Sequence, residues 1–247
     1  MAARRRSSSA IPRSQLLAAA KQLLVGLQAL GLNDRGKAND LFEFWLWALT
    51  VDATRNTHGP HAIRLYNLNR GRIRLRTSPS DRTSGSYTYA VLSSGKGAVQ
   101  LHTGIYVTGV SQAKHELDVV ALEHPLRASY DPDTSIADVQ WAMEAKLYQP
   151  RTMSMSIPRA VLGTAYDVGV LAGYRGGQRR RRPQPQWRFR NPLMMLASSA
   201  QLSPQGRTLL GPRGNRTRPV IATADAITST AQTGDILPFI NAHVRRI

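Results

Sequence analysis

Leu16, Leu17, Ala20, Leu23, Leu24, Leu27 and Leu30 recur at helical spacing and predict a helix over 14–32, with Ser14 as its N-cap and Gly31 as its stop. A second helix is predicted from near Asn39 through Leu41, Phe42, Phe44, Trp45, Leu46, Ala48 and Leu49. It is apolar nearly all round and should be buried, with Trp45 and Trp47 as core aromatics. After Pro60 the period shortens towards two. Strands are predicted over 62–68, 72–76, 87–92, 98–107, 115–122 and 139–148, separated by Gly, Ser, Pro and Asp turn signals. Helical spacing returns over 157–171, entered through Pro158, followed by a late strand over 218–223 and a terminal helix over 235–246. No internal repeat is visible. A helix pair, a run of strands, then helix, strand and helix predict an α/β (α+β) domain with a central sheet.

Composition narrows the class. The 247 residues include 33 basic and 15 acidic side chains, for a formal net charge of +18, and 42% hydrophobic residues supply enough material for a core. The longest apolar run, near 41–51, contains a glutamate and is far shorter than the ~20 residues a membrane span requires. Arg4, Arg5 and Arg6 are followed by serines rather than by the apolar stretch of a signal peptide, so a cytoplasmic protein without a membrane partner is expected. With no cysteine, disulfides, thiolate zinc sites and thiol nucleophiles are excluded. The histidines form no HxxxH or HExxH pattern, and there is no phosphate-binding glycine loop. The charge implies a polyanionic partner, nucleic acid first among them. Codon bias contributes as well, because 28 of the 33 basic residues are arginine.

The acids carry more information. Seven of the fifteen lie between positions 116 and 144. In the predicted strand around Leu117–Leu122, period two places His115, Leu117, Val119 and Ala121 on one face, and Glu116, Asp118, Val120 and Leu122 on the other. Asp118 is thus a carboxylate in an apolar strand, which is costly unless it is paired or holds a metal. In the next predicted strand, Glu144 and Lys146 share a face opposite Trp141, Met143 and Ala145. If the two strands are neighbours, Asp118, Glu144 and Lys146 converge. Two carboxylates suit a hard divalent cation, and an ammonium beside it can orient water or neutralise a phosphate.

Asp118 followed by Glu144-Ala145-Lys146 on the next strand resembles the signature of the PD-(D/E)XK, restriction-endonuclease-like nucleases. Leu117 stands where that family often has proline. The resemblance implies a restriction-endonuclease-like core, a central mixed β-sheet flanked by helices. It also implies metal-dependent hydrolysis of phosphodiester bonds, with DNA favoured over RNA, in prokaryotic defence or DNA processing. Asp118, Glu144 and the Ala145 carbonyl would hold Mg²⁺, for which Mn²⁺ can substitute; Lys146 would activate or position water. Glu43, on the preceding helix with Asp40 one turn earlier, matches the acidic residue that often joins such sites. A homodimer, or membership of a larger defence complex, would fit the same family.

Around this core, residues 1–12 read as a flexible basic N-terminal arm, 13–247 as a single nuclease-like domain, and 176–192 as a basic loop insertion. Within that loop, Arg179, Arg180, Arg181 and Arg182 precede Trp187, Arg188, Phe189 and Arg190, an interleaving that suits phosphates and stacked bases. Gln149, just after the Glu-x-Lys segment, is a further candidate contact, with Tyr148 beside it as packing or contact. Arg70, Arg72, Arg74 and Arg76 would form a basic stripe if they alternate along a strand. His115 reads as a core or edge histidine. The competing class is a non-catalytic nucleic-acid-binding or packaging protein, coat-like with a basic arm, or an inactive nuclease-fold subunit; an RNA-associated factor rests on charge alone.

Overall fold

A computed structural model describes residues 35–68, 70, 73–74, 76, 78–82, 87–124, 139–146, 152–168, 193–198, 201–211, 221–225 and 233–247. The predicted helix over 14–32, the basic arm and the 176–192 insertion lie outside the described residues. Helix α1 (Arg35–His58) is followed by a 3₁₀ turn (Pro60–Ala62), then strands β1 (Ile63–Tyr66), β2 (Tyr89–Ser93), β3 (Ala98–Thr108), β4 (Lys114–His124) and β5 (Val139–Lys146). A two-residue strand β6 (Thr152–Met153) leads into α2 (Ser156–Asp167). Then come β7 (Met194–Ser198), β8 (Gln201–Leu202), α3 (Pro204–Leu210), β9 (Ala222–Asp225) and α4 (Thr233–Val244).

Seven strands form one mixed sheet in the order β1-β2-β3-β4-β5-β7-β9, and β6 pairs with β8 apart from it. The first five run antiparallel to their neighbours, whereas β5, β7 and β9 are parallel. Parallel neighbours need crossovers, and α2 and α3 lie in those crossovers. Helices therefore cover both faces, which explains the near-continuous apolar runs of β4, β5 and β7. On one face, Phe42, Leu46 and Trp47 of α1 and Ile240 and Val244 of α4 pack on Leu101, Val119, Met143 and Met195. On the other, Val161 and Ala165 of α2 and Leu210 of α3 pack on Leu117, Val120, Ala142 and Met194.

The sequence of α1 explains its burial. Threonines are poor helix formers, yet Thr50 and Thr54 are fully buried because their hydroxyls donate to the carbonyls of Leu46 and Thr50, each at 2.9 Å. Trp47 donates its indole N–H to the Leu101 carbonyl of β3 at 3.1 Å, fixing the helix over the sheet. Gly59, at φ +86°, supplies the left-handed residue that stops the helix. The helix starts before Asn39 and runs nine residues past Leu49, further than the apolar pattern alone indicated.

Two expectations need correction. Among the described residues of 72–76, Ile73, Arg74 and Arg76 form no strand, so the alternating basic stripe is not built. Arg70 turns back at φ +50°, and Arg76 folds inward to 8% exposure, its guanidinium 3.3 Å from the Tyr87 ring centroid. The strand β7 and helix α3, absent from the sequence reading, occupy the stretch between α2 and β9. Among the described residues no helix is long and apolar enough to cross a membrane.

Candidate active site

β4 and β5 are antiparallel neighbours, paired from Leu122↔Val139 to Val119↔Met143. There the pairing ends, although β5 remains zipped to β7 as far as Lys146↔Ser198. In the fork, the Asp118 carboxylate takes over from a strand partner: its Oδ2 accepts the amide N–H of Ala145 at 2.7 Å. Lys146 Nζ lies 2.8 Å from that same Oδ2 and 2.8 Å from Glu144 Oε2. The three side chains expected to converge do so, on one ammonium.

Strict alternation does not survive at this row. Leu101 faces α1, whereas Ile105 and Val107 face α2; on β4, Leu117 faces α2 while Val119 faces α1. Both strands change phase around Gly104 and Asp118. Gly104 adopts φ +53°, a conformation that costs an L-residue about 1–2 kcal/mol. The flip separates His115 from the Val119–Ala121 face to which period two assigned it. His115 turns to α2 instead, half-buried, where its Nε2 donates to Asp167 Oδ2 at 2.6 Å. Ser111 donates to the same carboxylate through its backbone N–H at 2.8 Å and its hydroxyl at 2.6 Å. This latch holds the β3–β4 turn against the end of α2.

Glu43 approaches from α1. Its Oε2 lies beside Gly104, at an ordinary 3.9 Å from where a Cβ on that residue would stand. Asp40 and Glu116 gather on the same side, close enough to act on Glu43 electrostatically. Spacing alone places Glu116 on the Asp118 face without assigning it a role. Its signal was the i, i+2 relation to Asp118.

Crowded acids without balancing charge hold protons. Burial, then the neighbouring Asp118, push Glu144 up to about 8, with Lys146 pulling the other way. Burial, then Asp118, Asp40 and Glu116, push Glu43 up to about 9. Glu116 is raised by partial burial and by Asp118. Burial works against the charge on Lys146, but Glu144 and Asp118 outweigh it and keep the amine protonated well above its usual range. In this arrangement Lys146 is a cation and a hydrogen-bond donor, with no lone pair to act as a base.

The donor set fits a hard divalent cation in one form. Asp118 and Glu144 are 3% and 6% exposed, and their shared partner is a single positive charge between two carboxylates. A dication there would relieve the acid crowding that holds Glu144 protonated. No group of three or more His, Asp or Glu residues is arranged to hold one ion among the described residues. What the described residues offer is therefore two carboxylates, a set that Mg²⁺ would complete with water.

Gln149, Tyr148, Arg179–Arg182, Trp187, Arg188 and Arg190 lie outside the described residues. Comparison with protein-family models, curated proteins and solved structures returned no match.

Proposed function

We propose that this protein is a metal-dependent nuclease of the PD-(D/E)XK kind, with a restriction-endonuclease-like core, acting on nucleic acid and on DNA in preference to RNA. The observation that carries the reading is the fork itself: two nearly fully buried carboxylates from adjacent strands meeting one lysine at 2.8 Å each. A structural ion pair would need only one carboxylate per ammonium, and the extra buried acid raises the cost of the fold. Retaining both makes sense where a cation and a phosphate come to the same place.

Asp118, Glu144 and the Ala145 carbonyl would hold Mg²⁺ or Mn²⁺. The ion would polarise the phosphate and furnish a water acidic enough to attack near neutral pH. Asp118 is oriented by the Ala145 N–H, so one of its oxygens is fixed before any ligand arrives. Lys146 is a donor poised to move from carboxylate to a non-bridging phosphate oxygen, where it neutralises charge that grows in the transition state. Glu43, protonated at neutral pH in this arrangement, can donate a hydrogen bond into the site or hold a water there.

The test is incubation of the protein with plasmid, linear duplex, single-stranded DNA and RNA, with Mg²⁺, with Mn²⁺ and with EDTA, alongside Lys146→Ala. Cutting that needs the metal and is lost in the variant supports the assignment. Binding without cutting, indifferent to metal and to Lys146, would replace it with the packaging or inactive-subunit reading.

A further inference from the structure

The edge strand β1 turns Ile63 and Leu65 towards the α1 core. Arg64 and Tyr66 alternate onto the opposite face, and both are exposed, Tyr66 at 38%. Tyr66 is the outer rung of an aromatic ladder. Its ring stacks on Tyr89 with centroids 5.1 Å apart and planes within 8°. Tyr89 stacks on His102 at 4.9 Å and 14°, and Tyr87 meets His102 edge-on at 6.1 Å. Register explains the ladder: Tyr66 pairs with Tyr89, Ala90↔Leu101 sets Tyr89 beside His102, and His102 pairs with Val120 of β4.

The inner rungs of the ladder carry no charge. His102 is 1% exposed, and burial followed by the Arg76 and Arg82 charges push it down to about 3, so it stays neutral. Its Nε2 meets Gln100 Oε1 at 3.1 Å. Tyr89 keeps its phenolic proton, raised chiefly by burial, with Arg82 near enough to pull against that rise. Aromatic rings ordinarily end in a core; here the stack runs out to solvent at the sheet edge, with a guanidinium two residues away on the same face. A neutral aromatic surface beside cations is what an unpaired base and its phosphate require.

We propose that Tyr66 is a stacking platform for an unpaired base of a single-stranded nucleic acid, with Arg64 taking an adjacent phosphate. Resting on the nuclease reading, this makes the substrate a strand, or a single-stranded segment, passing from the sheet edge to the Asp118 fork. β1 lies three strand spacings from β4, and the Tyr66 row lies two residues along the strands from Asp118, a span of roughly 16 Å. One strand of a few nucleotides covers that distance.

Fluorescence anisotropy in EDTA, where cutting is blocked, measures binding of a labelled single-stranded 20-mer and its duplex at fixed salt. Tyr66→Ala should weaken the single strand by about 5- to 100-fold and the duplex less than twofold. Tyr66→Trp and Tyr66→Phe should retain single-strand binding, which separates loss of the ring from loss of the fold. Arg64→Ala should weaken both ligands and lower the salt slope by about one. Unchanged single-strand affinity in Tyr66→Ala, equal losses on both ligands, or no nucleic-acid binding by the wild type would each overturn the platform. Single-strand binding through Tyr66 in a protein that cuts nothing with Mg²⁺ would support the platform while removing the nuclease reading.

Discussion

Replacing Gly104 by alanine probes the change of pleat beside the Asp118 fork. At φ +53° an alanine costs about 1–2 kcal/mol relative to glycine. The new Cβ would stand 3.1 Å from Arg76 Cδ, closer than relaxed contacts allow, and at an ordinary 3.9 Å from Glu43 Oε2. The Arg76 side chain is flexible but confined, stacked on Tyr87 and bonded to Ser80 Oγ and the Asp81 carbonyl, so its displacement adds to the cost. Alanine also restricts the unfolded chain, which returns about 0.4–1 kcal/mol. The net loss should be about 1–2 kcal/mol, or roughly 0.5 M in urea midpoint for a slope near 3 kcal/mol per molar. Gly95→Ala is the control, because a Cβ there meets nothing within 4 Å and needs no left-handed backbone. Its midpoint should stay level or rise slightly. If Gly104→Ala unfolds at the same urea concentration as Gly95→Ala, the change of pleat at Gly104 is not real.

Lys146→Met removes the cation that bridges Asp118 and Glu144, and should cost about 1–3 kcal/mol at pH 9, discounted because the lysine is part-exposed. Glu144 is already raised above its unfolded value, so the folded state binds more protons between about pH 4.5 and pH 8; stability falls as pH rises through that window, more steeply in the variant than in wild type. Urea midpoints at pH 6 and pH 9 that fall equally in both proteins would contradict this. Asp118→Asn should stay folded better than Asp118→Ala, since its amide oxygen can still accept the Ala145 N–H, yet both should lose metal-dependent cleavage; retained cutting in either refutes the ligand assignment. In Gly109→Ala a Cβ would fall on the Asp167 carboxylate and break its contacts with Ser111 and His115, so amide exchange at the β3–β4 turn should accelerate while the β5–β7 amides stay protected. Uniform acceleration across the sheet would show that the latch is not local.

Much of this arrangement was legible in the residues. The apolar girdle of Phe42–Leu49 indicated a buried helix, and the single carboxylate amid Leu117–Leu122 marked a paired or ligating group. Both hold in three dimensions. Alternation failed where one glycine changed the phase: nothing in the Leu117–Ala121 pattern shows that Gly104, on another strand, redirects His115 to α2. Arg76 misled for a related reason, since spacing cannot distinguish a solvated stripe from a turn whose guanidinium covers Tyr87. β7 was missed because Met194–Ser198 is short, apolar and without period, its identity fixed by burial between β5 and β9. For α3 a signal did exist: Ser203 before Pro204, realised as a hydroxyl accepting the Gly206 N–H at 3.1 Å.

Helix α4 has a consequence for the order in which the layers of the fold can close. Phe239, Ile240, Val244 and Ile247 complete the core beneath α1, and His58 meets the Val244 carbonyl at 2.9 Å across 186 residues of chain. The meander from β1 to β4 pairs over short separations and can form early, whereas the layer supporting β5 closes only when residues 233–247 arrive. Asp118 can therefore pair into its hairpin on a growing chain before the layer over β5, the strand of Glu144 and Lys146, is in place.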